Sequence, residues 1–304
     1  MSSSVVRDWL LAQQYREVHP YTNAPPGGWA WTNLPGGVPD ADDTAGALLA
    51  LNKLGPVDAV TRAAAVRGVT WLLGLQNRDG GVPTFCRGWG ALPFDRSSAD
   101  ITAHALRAWL AWQKELPVEL QDRVAQAGSR ALRYLQRTQR ADGSWLPLWF
   151  GNQFQHDDEN PFYGTARVLE ALAGAVRAGG LPADQMAMVE RLAAQGASWL
   201  QQSLRADGSW GAGEGSPGTV EETALCLEAY AAWCRAAGGS DERKVSVVNR
   251  AAMWLVQRVE NGAWREPAPI GFYFAKLWYY ERLYPLIFTA GALERTEELL
   301  NRGE

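Results

Sequence analysis

A repeat of roughly sixty residues does most to limit what this 304-residue chain can fold into. Four segments share one pattern: WLLGLQNRDGG at 71–81, YLQRTQRADGSW at 134–145, WLQQSLRADGSW at 199–210 and WLVQRVENGAW at 254–264. A looser first copy runs from WLLAQQ at residue 9 to GGWAW at 27–31. In each, an amphipathic helix is stopped by a polar turn whose glycine accepts a positive φ. A glutamine amide is placed to bond the exposed turn backbone, and a tryptophan follows (Trp29, Trp145, Trp210, Trp264), with Val82 in that slot of the second copy. Between the turns lie TAGALLALNKLG, DITAHALRAWLAW, GTARVLEALAGAV and EETALCLEAYAAW, all with helical periodicity. Each repeat therefore reads as an outer helix, a turn and an inner helix. About five or six such pairs predict an all-α fold over residues 1–304, either a single closed α/α barrel or an open α-solenoid.

The chain is 47% hydrophobic, with 29 basic and 33 acidic residues and a net charge of -4. No basic stripe points to nucleic acid. No apolar run reaches the ~20 residues of a membrane span, and MSSSVVRDWLLAQQ is not read as a secretory signal. Cys86, Cys226 and Cys234 are scattered, so the reading is a reduced, cytoplasmic protein with no zinc site. Fifteen tryptophans imply rings that staple repeats or line a cavity.

The stretch PDADDT puts Asp40, Asp42 and Asp43 directly before an apolar helix. One aspartate is explained as a helix cap; three need another reason. His19 reads as a loop residue, and His156, in QHDDEN, as part of a solvated acidic loop.

The glutamine–tryptophan turns resemble the QW repeats of squalene–hopene cyclases and other class II terpene cyclases, and PDADDT resembles their DxDD acid motif. The likeness continues in order. GGWAW resembles the family's aromatic segment before the acid, and DITAHAL at 100–106 the segment carrying its histidine. DGSWLPLWFG at 142–151 resembles a QW turn with a cavity tryptophan, and GFYFAKLWYYERLYP at 271–285 the aromatic C-terminal helix. Family enzymes of the bacterial triterpene type have two barrels and are about twice as long; this chain matches the barrel that carries DxDD.

What the resemblance implies is an isomerase that protonates a terminal alkene of a linear polyprene, of triterpene or prenylated-aromatic type, and cyclises it through carbocations. Such a donor must remain protonated near neutral pH, although an isolated aspartate titrates near 3.9. Crowding and burial raise a carboxyl's pKa. By resemblance Asp42 is the donor, Asp40 and Asp43 surround it, and His104 activates it. Asp100, one helical turn before His104, is expected to hold the imidazole. The resemblance places Trp31, Phe85, Trp149, Tyr273, Trp278 and Tyr280 on the wall that stabilises the cation. Phe85 stands where the family typically has tyrosine. No metal or organic cofactor is implied. The partner is a lipophilic substrate, with peripheral membrane contact and either a homodimer or a second barrel left open. The alternatives are one barrel of a two-barrel cyclase, inactive alone, and an isoprenoid-binding barrel without catalysis. A protein prenyltransferase β-subunit is disfavoured by the cysteine pattern.

Overall fold

The computed structural model describes residues 2–88, 91–211, 216–238, 241–272 and 277–301. Two compact units meet at the Arg137–Thr138 bond. The first carries α1 (Ser3–Gln13), α2 (Ala41–Lys53), α3 (Ala59–Leu75), α4 (Ala99–Trp112) and α5 (Val118–Thr138). The second carries α6 (Pro161–Ala178), α7 (Ala183–Gln202), α8 (Val220–Ala236), α9 (Glu242–Glu260), the strands β1 (Pro269–Phe272) and β2 (Leu277–Tyr280), and α10 (Tyr284–Leu300).

Helices alternate between two kinds. The alanine- and leucine-rich ones are buried on nearly every side: α8 buries 13 of its 17 residues. The others are amphipathic; α5 buries only the stripe running from Leu120 through Val124, Ala131 and Leu135. In the first unit α2 packs on α3 and α4; in the second α8 packs on α6, α9 and α10.

The repeat is held by hydrogen bonds that recur from copy to copy. Gln14, Gln76 and Gln139 each donate from Nε2 to the carbonyl of their turn glycine, Gly27, Gly80 or Gly143, at 2.8–2.9 Å. The same amide reaches the next outer helix, at Ala64, Ala127 or Leu192. The Gln14 and Gln76 oxygens accept from Arg67 and Arg130. The turn glycines have φ between +90° and +122°, and a Cβ there would lie 2.5–2.8 Å from the carbonyl of Arg67, Arg130, Gln195 or Arg250. Glycine is thus required both by conformation and by the close approach of the next helix. The turn before Trp210 departs from this: Leu204 holds the glutamine slot, and Arg250 bonds the Arg205 and Ala206 carbonyls instead.

A second recurrent bond ties each turn to its inner helix. The N–H groups of Trp29, Val82, Trp145 and Trp210 donate to the hydroxyls of Thr44, Thr102, Thr165 and Thr223 at 2.8–3.0 Å. The indoles of Trp29, Trp145 and Trp210 are buried. Room for two of them comes from helical glycines: a Cβ on Gly68 would sit 2.8 Å from the Trp29 ring, and one on Gly196 2.9 Å from that of Trp145.

The expected C-terminal aromatic helix is corrected. Residues 269–272 and 277–280 are antiparallel strands, with Pro269 opposite Tyr280 and Phe272 opposite Leu277. Aromatic runs such as LWYY favour extended backbone, and α10 starts only at Tyr284, with Pro285 in its first turn.

Candidate active site

The acid cluster forms at the start of α2. Asp40 is the N-cap, in extended conformation, and its Oδ1 accepts the Asp43 N–H at 2.8 Å. Its own N–H bonds the Trp29 carbonyl, and the Ala41 N–H bonds the Thr84 carbonyl. The helix start is therefore pinned by the preceding QW turn and by the segment carrying Phe85. Capping and acid cluster turn out to be compatible: Asp40 caps, while Asp42, two residues on, reaches α4. The His104 Nδ1 lies 2.6 Å from Asp42 Oδ1.

Asp40 is 3% exposed. Burial raises its carboxyl well above the usual range; its hydrogen bond to Asp43 and the neighbouring charges raise it further. Burial also raises Asp43, though less, because there the same hydrogen bond favours the ionised form. The two carboxyls thus favour holding one proton between them. Asp100 is buried and pushed up to about 6, chiefly by burial, with the Ser98 hydrogen bond opposing and the Asp42 charge adding. Its geometry differs from expectation. Asp100 Oδ1 accepts a hydrogen bond from the Ser98 hydroxyl at the start of α4, and the His104 ring pairs with Asp42. A carboxylate one turn before a histidine can equally turn back to its helix start, and the Ser98 hydroxyl draws it there.

Of the rings placed on the wall, Trp31 and Phe85 meet edge to face, with centroids 6.0 Å apart. Phe85 also lines an apolar cleft of about 580 Å3 with Pro25, Pro26, Trp71, Leu75 and Phe94. Trp149 and Trp278, in the second unit, are half-buried, and Tyr280 is exposed. Tyr273 lies outside the described residues. His156 is exposed and pairs with Asp157 in a surface loop. His19 is buried, its ring bonded to the Gly37 carbonyl and to Thr22, so it ties a loop together.

Sequence reasoning missed a second group of acids. Glu221 and Glu222, at the start of α8, are both buried. The signal was present: DDTA at 42–45 recurs as EETA at 221–224.

Known proteins resemble this chain in sequence and fold. The family model for the squalene-hopene cyclase C-terminal domain matches residues 3–298, across both units. Squalene–hopene cyclase of Bradyrhizobium diazoefficiens is 29% identical over 97% of this chain and 45% of its own length. The terpene cyclase–glycosyl transferase fusion protein of Humicola fuscoatra is 30% identical over 91% of this chain and 22% of its own. The chain thus spans less than half the length of these two relatives. Among solved structures, the type II terpene cyclase MstE from Scytonema, in complex with merosterolic acid A, superposes with a TM-score of 0.68 at 17% identity, over 98% of this chain and 81% of that one. The ent-copalyl diphosphate synthase from Streptomyces platensis gives 0.63 at 22%, over 97% and 46%. These likenesses show the fold class, the α/α barrel of class II terpene cyclases.

Proposed function

The chain belongs to the squalene-hopene cyclase C-terminal domain family, and from that premise we propose that it cyclises a linear polyprenyl substrate by proton transfer from Asp42. The observation that carries this reading is the 2.6 Å contact between His104 Nδ1 and Asp42 Oδ1. In the initiating step the π pair of the terminal alkene forms a C–H bond to the Asp42 proton. A tertiary cation results, and Asp42 is left as a carboxylate. An alkene is a very weak base, so the transfer needs that carboxylate stabilised as it forms. A hydrogen bond from the His104 N–H does this at one oxygen.

Asp40 and Asp43 supply the setting. Their shared proton keeps one negative charge off the cluster, so Asp42 faces less repulsion when it ionises. Asp100 adds buried carboxyl character beside the same groups, and its charge acts on Asp42 through space. Later π bonds attack the cation in turn, each closing a ring and moving the charge along the chain. Trp31 and Phe85 are assigned to stabilise it, at about 0.5–2 kcal/mol per ring contact. Proton loss, or capture by water or an internal hydroxyl, ends the sequence. The chemistry uses a proton and the substrate's own π electrons, with no cofactor.

The substrate class is an unphosphorylated polyprene or a prenylated aromatic. Its lipid solubility makes peripheral membrane contact part of the reading; among the described residues, no helix is long and apolar enough to cross a membrane. A second reading has one specific observation in its favour. Because the chain covers 45% of the Bradyrhizobium cyclase, it could act as one half of a two-barrel enzyme, silent without the other.

The test is incubation of the purified chain in detergent with squalene, shorter polyprenols, prenyl diphosphates and prenylated aromatic acids, with Asp42→Asn in parallel and mass-spectrometric detection. A cyclic isomer formed by the wild type and absent with Asp42→Asn supports the cyclase. Product that appears only after a matching second barrel is added supports the half-enzyme. Turnover that survives Asp42→Asn sinks the assigned donor.

A further inference from the structure

Glu221 occupies in α8 the position that Asp42 occupies in α2. Thr44 and Thr223 both accept the N–H of their repeat's tryptophan, Trp29 and Trp210. Asp42 stands two residues before the first threonine and Glu221 two before the second. The equivalence extends to the cap. Asp40 Oδ1 accepts from the Asp43 N–H, and Thr219 Oγ1 from the Glu222 N–H. The repeat thus sets a carboxyl at the same point of the first turn in α2 and α8, and Asp100 holds that point in α4.

Glu221 is 3% exposed and only half satisfied. Its Oε1 accepts the Ala268 N–H at 2.7 Å, just before β1. Its Oε2 is buried without a hydrogen-bond partner. Glu222 beside it is committed elsewhere: Oε1 accepts from Asn152 Nδ2 at 2.6 Å, and Oε2 from the Thr219 hydroxyl at 3.0 Å. Both glutamates line a small cavity of about 20 Å3 with Phe150, Asn152, Tyr163 and Leu225. That volume suits one water or one hydroxyl. The Phe150 and Tyr163 rings, stacked at 4.1 Å, form an apolar wall beside it. A buried carboxyl oxygen without a partner costs stability unless something uses it.

We propose that this cavity is a subsite for a neutral O–H donor carried on a prenyl chain, its hydrogen accepted by Glu221 Oε2. Two adjacent carboxyls disfavour a phosphate or diphosphate, and the rings accept the hydrocarbon next to the hydroxyl. Burial pushes Glu221 up to about 7, with the Glu222 charge adding and the Ala268 bond opposing. The other titratable group lining the cavity is Tyr163 on α6; the loop contributes Asn152 and Asn160, and the strand segment Ala268 and Pro269. Since the carboxylate is the better acceptor, binding of the hydroxyl should strengthen as pH rises through about 7. The subsite deepens the cyclase reading by naming a substrate class, yet it is testable without turnover.

The experiment measures binding by calorimetry in detergent, in an Asp42→Asn background that prevents conversion. The probes are geranylgeraniol, a geranylgeranylated phenol, geranylgeranyl diphosphate, and the hydrocarbon with methyl in place of the alcohol's hydroxyl. The expected result is at least tenfold tighter binding of the alcohol or the phenol than of the hydrocarbon at pH 8. That preference should shrink at pH 6 and fall below twofold in Glu221→Gln. Equal affinity for alcohol and hydrocarbon overturns the proposal and leaves the cavity as a site for structural water. So does a preference that persists in Glu221→Gln, or tightest binding of the diphosphate. Failure of the cyclase reading would show separately, as absence of product from wild-type protein.

Discussion

His104 and Asp42 are joined at 2.6 Å across two inner helices, the imidazole from the second turn of α4 meeting a carboxyl in the first turn of α2. Gly46 on α2 faces the same imidazole: a Cβ there would lie 3.7 Å from its Cε1, in ordinary contact. If this pair initiates the reaction, His104→Ala should lower kcat by about 10²–10⁴, the range for a positioned acid–base group, and change KM little. Initial rates on whichever substrate the product screen identifies would check this. A loss confined to KM would instead make His104 a binding residue.

Asp40 combines capping with acid chemistry, and two substitutions separate these. Asparagine caps as well as aspartate; alanine costs about 1 kcal/mol. Asp40→Asn should therefore unfold in urea at or above the wild-type midpoint at pH 7, because it also removes a buried acid held well above its usual range. Asp40→Ala should fall about 1 kcal/mol below Asp40→Asn. Both should lose turnover, since neither can share a proton with Asp43. Full activity in Asp40→Asn would reduce Asp40 to a cap.

Asp100 makes a pH prediction whose sign follows from its raised folded-state value of about 6 against 3.8. Between these values the native state binds more protons than the unfolded state, so stability falls as pH rises. Below pH ~4 both states are protonated and nothing is lost; by pH ~7 the loss approaches about 3 kcal/mol. Asp100→Asn should remove this component. Unfolding free energies at pH 4, 5, 6 and 7 should show the wild type declining more steeply than the variant. Parallel curves would mean that Asp100 titrates normally.

Two helical glycines, one on α5 and one on α7, should respond oppositely to alanine. A Cβ added at Gly196 would lie 2.9 Å from the Trp145 indole, whereas one at Gly128 would have Leu106 as its nearest neighbour, 3.6 Å away. Gly196→Ala must displace the ring and should cost about 1–3 kcal/mol. Gly128→Ala meets ordinary contact and should gain about 0.5–1 kcal/mol from helix propensity. Thermal unfolding of both variants decides it; equal shifts would mean the indole is not seated on that helix.

The glutamine staple should be worth more than a surface hydrogen bond. Gln76→Ala strands the buried carbonyls of Gly80 and Ala127 and removes an Arg130 partner. A loss of about 2–3 kcal/mol in urea unfolding is expected. A loss below ~0.5 kcal/mol would show that water replaces the amide, in line with exposed sites.

Much of this was legible in the sequence because its determinants are local. Glycine at a positive φ, aspartate in the turn, glutamine four residues before the glycine and period-3.6 apolar patterning all act within a few residues, and the helices, turns and tryptophan slots follow from them. DxDD announced the acid cluster for the same reason. What lies far apart in the chain was decided by packing. The meeting of His104 with Asp42 spans 62 positions, and the turning of Asp100 toward Ser98 is a choice between two nearby partners. The aromatic C-terminal segment resembles the family's helix but pairs as strands, because its aromatic runs favour extended backbone once a partner strand lies opposite. Glu221 shows the division most clearly: its EETA motif repeats the acid motif's DDTA, but only burial and the commitments of its neighbours leave one of its oxygens unpartnered. Sequence sets which groups are available; tertiary structure sets which of them lose water and find, or fail to find, a partner.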